Sequence, residues 1–285
     1  MRWIILLSVL WAGQAWATDY HEPSTLAREG LPIGPLQSIV GTVPFGLYHD
    51  YLIVVRGSAG GLKGLNFLVD TGASPTVLDP RVARKLHLQE TPASIAVIGG
   101  HVQAEQATVP SLSLGPAHRE NLPVLIQDLS FLEKNLPFRV DGVVGLDVLG
   151  QGAFLIDYAL HRIQFGPTPM LPNSLALHMK DGLAMVDADV NGAHTTLLVD
   201  TGASGLTLFT RKETPAFKVT SIGDFKRKQL EARSVRLGQA EFKPESVSLV
   251  EGGSNYAFDG LMSPVALGIS RVVIDLGRGV MAFGR

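Results

Sequence analysis

Short apolar runs rich in Val, Ile, Leu and Thr recur along the chain and are interrupted by Gly, Pro, Asn and Asp. Runs of this length and composition predict β-strands. Two pairs of runs predict hairpins. Residues 51–55 return as residues 65–69 after a glycine-rich turn at 57–64, and residues 184–190 return as residues 195–199 after an Asn-Gly pair. The pattern predicts an all-β protein.

Helical signals are few and short. Asp79 is suited to cap a helix, and Pro80 is suited to its first position, so residues 81–88 are predicted to form about two helical turns. Residues 129–135 are expected to form another turn or two. These pieces are too short to change the all-β prediction.

Both predicted hairpins end in the same pentapeptide, Asp-Thr-Gly-Ala-Ser, at residues 70–74 and 200–204. Three dipeptides follow each copy of the pentapeptide in the same order: Asp-Gly, Ile-Asp and Phe-Gly. Each dipeptide recurs 118 residues later, at Asp141 and Asp259, Ile156 and Ile274, and Phe165 and Phe283. A repeat of this extent predicts two related units in one chain.

The repeated pentapeptide carries the candidate chemistry. Its Gly permits a sharp turn and close approach of a backbone N–H to a carboxylate. If the two units face each other, two carboxylates about 3 Å apart cannot both ionise, so the pair holds one proton. The ionised member can then act as a general base towards water, and the protonated member can polarise a carbonyl group.

These motifs resemble the retropepsin-like branch of the aspartic peptidase superfamily, over most of residues 51–284. The resemblance implies a bilobal, pseudo-twofold aspartic-protease fold, with two closed β-barrel-like lobes and a cleft between them. It implies Asp70 and Asp200 as the catalytic residues. It also implies supporting roles for the other residues of the two loops, which are Thr71, Gly72, Ser74, Thr201, Gly202 and Ser204.

The family also has an apolar-apolar-Gly segment beneath each active loop and a glycine-containing hairpin flap over the substrate. Residues 143–145 match the first feature, whereas residues 262–264 carry Met-Ser-Pro in the second unit. Residues 96–101 give the best match to the flap, with Ile98, Gly99 and Gly100 as the expected substrate contacts. Neither this segment nor the weaker match at residues 221–224 contains the tyrosine that is typical of pepsin-like flaps.

The beginning of the chain resembles an export signal. Arg2 precedes an apolar run at residues 3–11, and Ala15-Trp16-Ala17 offers a small-x-small cleavage site. We therefore expect cleavage after Ala17 and a periplasmic or secreted protein without a stable membrane span after cleavage. An uncleaved N-terminal anchor is the alternative. The chain has no cysteine, which excludes disulfides.

The remaining composition narrows the classes of function. A net charge of −2 gives no support for nucleic-acid binding, and the eight histidines show no metal-ligand spacing. We expect a monomer without cofactor or metal that acts on a peptide or protein substrate. The expected organisation is a signal peptide at 1–17, an N-terminal extension or propeptide at 18–48, a first lobe at 49–167, a linker at 168–179 and a second lobe at 180–285.

The sequence therefore favours an aspartic endopeptidase. Two other functions stay open at this point. One is a catalytically inactive relative that binds peptides or envelope partners in the same cleft, and the other is a structural module that dimerises through its lobes. A single Asp-Thr-Gly-Ala-Ser could simply be a turn that ends a strand, but that explanation does not account for two intact copies.

Overall fold

A computed structural model describes residues 3–5, 39–97, 100–134, 136–210, 220–221, 228–230, 234–244, 247–251 and 256–285. The protein is almost entirely β-structure, arranged as two lobes with an aspartic-protease-like fold, as the sequence predicts. Each lobe is built on one curled sheet of ten strands, and a third sheet joins the lobes.

Thirteen strands precede the second lobe in the chain. They are β1 (Trp3–Ile5), β2 (Gly41–Pro44), β3 (Gly46–Tyr48), β4 (Leu52–Ala59), β5 (Leu62–Val69), β6 (Ala73–Ser74), β7 (Val77–Leu78), β8 (Thr91–Val97), β9 (Gly100–Leu114), β10 (Ala117–Ile126), β11 (Gly142–Val144), β12 (Phe154–Asp157) and β13 (Arg162–Phe165).

Thirteen more strands follow. They are β14 (Asn173–Ala176), β15 (His178–Lys180), β16 (Leu183–Val190), β17 (Ala193–Val199), β18 (Leu206–Thr210), β19 (Thr220–Ser221), β20 (Lys228–Leu230), β21 (Val235–Leu237), β22 (Ala240–Phe242), β23 (Val247–Glu251), β24 (Gly260–Met262), β25 (Arg271–Asp275) and β26 (Val280–Gly284).

A six-stranded sheet joins the two lobes, in the order β14-β26-β25-β12-β13-β2. Its central strands, β12 and β25, pair antiparallel, and Leu155 lies opposite Val273. Val273 is also the residue that lies 118 positions after Leu155, so the pseudo-twofold axis passes through this pair. Both side chains are buried. The two lobes are therefore held together at their base by backbone pairing across the axis.

The predicted hairpins form in both lobes. β4 pairs with β5, and β16 pairs with β17 through the Asn191-Gly192 turn, in which both residues have positive φ. The first turn is tighter than the sequence suggests, because only Gly60 and Gly61 separate the strands. Gly57 lies within β4, where a bulge at Gly57 absorbs the extra length.

Each returning strand is held by a second, parallel strand. β11 pairs with β5, and β24 pairs with β17, so each pentapeptide follows directly from the middle of a paired sheet. The aspartates of the two Asp-Gly pairs fix this arrangement. The Asp141 carboxylate accepts from the backbone N–H of Asn66 at 2.9 Å, and Asp259 accepts from that of Thr196 at 3.0 Å.

The helical segments lie close to the predicted positions. α1 (Pro80–Lys85) begins after Asp79, whose carboxylate accepts from the Arg81 N–H at 2.9 Å. A 3₁₀ turn spans Ser130–Lys134, and α2 (Leu146–Leu149) follows β11. A further 3₁₀ turn at Val265–Leu267 follows β24 in the second lobe. No helix of the described residues is both long and apolar enough to span a membrane.

Two segments outside the predicted lobes take part in the sheets. Within the predicted N-terminal extension, β2 pairs with β13 and β3 pairs with β4. Within the predicted linker, β14 pairs with β26 and β15 pairs with β16. Residues 41–48 and 173–180 are therefore part of the folded body of the protein.

Gly145 offers a test of how tightly the segment beneath the first loop is packed. A methyl group there would lie 2.1 Å from the carbonyl oxygen of Ala73, whereas a methyl group at Gly205 would meet nothing within 4 Å. We expect Gly145→Ala to lower the free energy of unfolding by about 1–3 kcal/mol. Gly205→Ala, the control, should leave it unchanged or raise it by less than about 1 kcal/mol. Equal effects in urea unfolding would contradict this packing.

Candidate active site

The two Asp-Thr-Gly loops meet where the lobes join. Asp70 and Asp200 each follow the last residue of a central strand, and each backbone N–H donates to the parallel neighbour, to Val144 at 3.0 Å and to Met262 at 2.9 Å. Both carboxyl side chains are fully buried. The fold therefore brings the two predicted catalytic residues to one place, 130 residues apart in the chain.

The threonines tie the two loops together across the axis. The hydroxyl of Thr71 donates to the carbonyl of Val199 at 2.7 Å and accepts from the N–H of Thr201 at 3.1 Å. In return, the hydroxyl of Thr201 donates to the carbonyl of Val69 at 3.1 Å and accepts from the N–H of Thr71 at 3.0 Å. These four buried bonds fix the position of one carboxylate relative to the other.

The glycines allow the carboxyl groups to approach the opposite loop. A methyl group at Gly72 would lie 2.7 Å from Asp200 Cγ, and one at Gly202 would lie 2.7 Å from Asp70 Cγ. Only glycine leaves this space. The glycine N–H groups also donate to the carboxylate of their own loop, Gly72 to Asp70 Oδ1 and Gly202 to Asp200 Oδ1, each at 2.8 Å.

The two carboxyl groups lie within hydrogen-bond range of each other. Burial raises the pKa of Asp70 well above its usual range, and the charge of Asp200 and the hydrogen bond to it raise the pKa further. The N–H groups of Gly72 and Gly202 lower it in part. Asp70 Oδ2 has no N–H or hydroxyl donor among the described residues, so a proton shared between the two aspartates is what can satisfy it.

The serines of the two loops differ in their surroundings. Ser74 is buried, and a methyl group at Gly182, in a turn of the second lobe, would lie 2.2 Å from its Oγ. Ser204 is exposed. Gly182 follows Asp181, and both residues have positive φ, as this turn requires. The turn at Gly182, from the second lobe, therefore covers Ser74 of the first loop, whereas the equivalent Ser204 of the second loop is exposed to solvent.

A further pair of polar residues supports the first loop, and the sequence did not identify it. The carboxylate of Asp147 accepts from the Thr76 N–H at 2.8 Å and from its hydroxyl at 2.7 Å, and Thr76 Oγ1 accepts from the Gly145 N–H at 3.3 Å. Burial raises the pKa of Asp147, and the bonds from Thr76 lower it in part. The only sequence signal was an acidic residue two positions after Gly145.

Among the described residues of the second lobe, the equivalent places do not carry this polar pair. Leu206 and Val265 occupy the places of Thr76 and Asp147, and Ser263 stands where the first lobe has Gly145. β24 nevertheless forms and pairs with β17, so Met-Ser-Pro is compatible with the strand beneath the second loop. Ser263 Oγ is buried and has no hydrogen-bond partner in the described part of the chain.

Tyr51 stands near the dyad, which the sequence also did not predict. It is the last residue of the turn into β4, at the place that Gly182 takes in the second lobe, and it is half-buried. Burial raises the pKa of its phenol, and the charge of Asp200 raises it further. The phenol therefore stays protonated.

The predicted flap is a hairpin. β8 and β9 pair from Val97 and Gly100 back to Thr91 and Gln106. Gly100 begins β9, whereas Ile98 and Gly99 lie outside the described residues, as does most of the weaker match at residues 221–224. The hairpin is in place, and substrate contacts at its tip stay a prediction. In the described part of the chain, no group of His, Asp and Glu side chains is arranged to hold a metal ion.

Comparisons with known proteins support this interpretation of the fold. Residues 55–148 match the model of a family described as aspartyl protease. Among 301 solved chains with significant similarity is the basic 7S globulin from soybean, with a TM-score of 0.51 and 14% sequence identity, over 87% of this chain and 95% of that one. A search of curated proteins gave no significant match. The family match supports an aspartic-protease-like family, and the structural likeness shows the fold.

Replacement of Thr71 tests the bonds between the loops. Thr71→Val removes a hydroxyl that both donates and accepts, and leaves the carbonyl of Val199 and the N–H of Thr201 buried without it. We expect the free energy of unfolding to fall by about 1–3 kcal/mol. Thr71→Ser keeps the hydroxyl and should retain most of that stability. If urea unfolding shows the same loss in both variants, the hydroxyl bonds do not stabilise the interface.

Asp70→Asn tests the raised pKa through the pH dependence of stability. A raised pKa in the folded state means that the protonated carboxyl favours folding, so this contribution is present at low pH and is lost as pH rises through the folded pKa. Asn stays neutral, so the variant should gain stability relative to the parent as pH rises. We expect about 1.4 kcal/mol for each unit of pKa shift.

The measurement is urea unfolding at several pH values between 4 and 9. Asp128→Asn is the control, because that residue is exposed and an Asn side chain can still accept from the Ser130 N–H. A stability difference between Asp70→Asn and the parent that stays constant over this range would show that Asp70 titrates in the same way in the folded and unfolded chains.

Proposed function

We propose that this protein is an aspartic endopeptidase, which hydrolyses peptide bonds with water activated between Asp70 and Asp200. The observation that carries the proposal is the pair of buried carboxyl groups, facing each other on matching loops and fixed by the threonine bonds. The match of residues 55–148 to aspartyl proteases supports the same class.

The chemistry follows from a pair that holds one proton. The ionised carboxylate takes a proton from water, and the resulting hydroxide forms a bond to the carbonyl carbon of the substrate. The protonated carboxyl donates its proton to the carbonyl oxygen, which gives a neutral tetrahedral diol and leaves the pair with one proton. The C–N bond then breaks as the amide nitrogen takes a proton from the pair and one hydroxyl of the diol returns a proton to it.

The surroundings of the pair bear on the pH at which the proposed reaction would work. Burial and mutual repulsion raise the pKa at Asp70, so the pair keeps its proton to a higher pH than an exposed carboxyl would. The apparent pKa values belong to the pair and not to one member. We therefore assign the roles of base and acid to the dyad, without dividing them between Asp70 and Asp200.

The proposal also covers the location of the protein in the cell and its oligomeric state. Cleavage after Ala17 would release a soluble monomer into the periplasm or the medium, where a peptide or protein would be its substrate. N-terminal sequencing of the exported protein tests this point, since a chain that still begins at Met1 would be anchored instead.

The activity test uses single amide variants of both aspartates. Asp70→Asn and Asp200→Asn cannot share a proton or act as base, so each should lower kcat/KM at least about 100-fold. Digestion of a peptide library by the purified protein, with and without a pepstatin-type inhibitor, provides the substrates and the rates. Asp187→Asn, on the exposed surface of β16, is the control and should keep full activity.

The outcomes separate the proposed endopeptidase from the peptide-binding relative that the sequence left open. Full hydrolysis by either aspartate variant would contradict a shared-proton dyad. Binding of library peptides without any hydrolysis by the parent would instead favour a peptide-binding relative that uses the same cleft.

A further inference from the structure

An apolar cluster of the first lobe reaches both the first loop and the hairpin that is predicted to be the flap. Its buried members include Leu52, Leu68 and Ala73, and Ala73 belongs to the loop itself. Ala93 of β8 and Ala104 of β9 pack against the same cluster. A side chain that packs on this cluster and stays partly exposed therefore lies at the wall of the cleft, beside the dyad.

Tyr51 packs on this cluster and is half-buried. The charge of Asp200, which belongs to the loop of the second lobe, also acts on its phenol. Contact with the first lobe and proximity to a carboxyl group of the second place the ring between the lobes. Since the phenol stays protonated, its hydroxyl can donate a hydrogen bond, and its ring can contact apolar groups.

The equivalent place in the second lobe carries no side chain. Gly182 precedes β16 as Tyr51 precedes β4, and even a methyl group there would lie 2.2 Å from Ser74 Oγ. The second lobe has an apolar cluster of its own, which includes Leu183 and Leu198. The two walls of the cleft therefore both have an apolar cluster, and they differ in the phenol of Tyr51.

We propose that Tyr51 binds the substrate and fixes its direction in the cleft. The ring contacts an apolar side chain of the peptide, and the hydroxyl donates to a backbone carbonyl oxygen. A cleft with true twofold symmetry would offer the same contacts to a peptide in either direction, whereas a single phenol makes the two directions unequal. The inference rests on the proposed function, because it describes how the same site selects its substrate.

Binding can be measured in the Asp70→Asn variant, which keeps Asp200 and Tyr51 and should leave peptides intact. The probe is a labelled peptide that contains Leu-Phe-Leu between lysines, and fluorescence anisotropy measures its dissociation constant. Addition of Tyr51→Phe removes the hydroxyl alone and should weaken binding at least about threefold. Addition of Tyr51→Gly copies the second lobe, removes the ring as well and should weaken binding at least about tenfold.

Tyr48→Phe is the matched control, because Tyr48 packs on the same cluster and meets Phe138 edge to face, with ring centroids 5.0 Å apart. It should leave the dissociation constant unchanged. A second measurement uses tyrosines labelled with ¹³C at Cζ. The NMR signal of Tyr51 should move when the peptide is added, whereas that of Tyr48 should stay in place, and the two Phe variants assign the signals.

The direction of binding can be tested in the chain with both aspartates intact. Mass spectrometry of the products of a peptide-library digest gives the amino-acid preference on each side of the cleaved bond. We expect Tyr51→Gly to lower the preference for apolar side chains at least about fivefold on one side of the bond only, because the ring contacts one side chain. An equal loss on both sides would show that Tyr51 does not set the direction.

Equal binding with and without the two Tyr51 substitutions would overturn the inference, and so would a probe that does not bind or a Tyr51 signal that does not move. Binding that depends on Tyr51, without hydrolysis by the parent, would leave the inferred contact intact and would count against the proposed endopeptidase alone. The two proposals therefore fail in different measurements.

Discussion

The structure depends on two carboxyl groups that are buried within hydrogen-bond range of each other. Asp70 and Asp200 cannot both ionise in this position without strong repulsion. A fold that keeps them there must hold the two loops rigidly, exclude water from their sides and supply N–H donors. The sheet at the base, the crossed threonines and the two glycines provide these conditions, each in matching form on both sides of the axis.

The sequence was sufficient to predict the centre of the site, because its signals are local and occur twice. The apolar strands ending at Val69 and Val199, the Asp-Thr-Gly that follows each strand, and the Asn191-Gly192 turn can each be recognised within a few residues. The lobes, the loops between them and the crossed threonines follow from these signals together with the family resemblance. The repeated aspartates at 141 and 259 are explained by hydrogen bonds to neighbouring strands.

The remaining features depend on contacts between distant segments. The bond from Thr76 to Asp147 spans 71 residues, and no periodicity or motif links these two positions. The charge of Asp200 acts on the phenol of Tyr51, although the two residues lie far apart in the chain. Sequence reasoning assigned no role to Tyr51. The pairing of Trp3–Ile5 with β6 and β8 could not be predicted for a segment that reads as a signal peptide.

These distant contacts also make the two halves of the site unequal. The first loop has a buried serine under Gly182 and a polar brace from Asp147, whereas the second has an exposed Ser204, an apolar support and a nearby tyrosine. The dyad is therefore symmetric in its hydrogen bonds and asymmetric in its surroundings. An extended peptide, which has a direction, meets different groups on the two sides.

The shared proton can be observed directly in a titration of the aspartate carboxyl carbons by ¹³C NMR, with Asp70→Asn and Asp200→Asn used to assign the two signals. The account predicts two coupled steps, in which the first proton leaves at low pH and the second is kept to a pH well above the usual value of about 3.9 for Asp. Loss of both protons together near that usual value would contradict it.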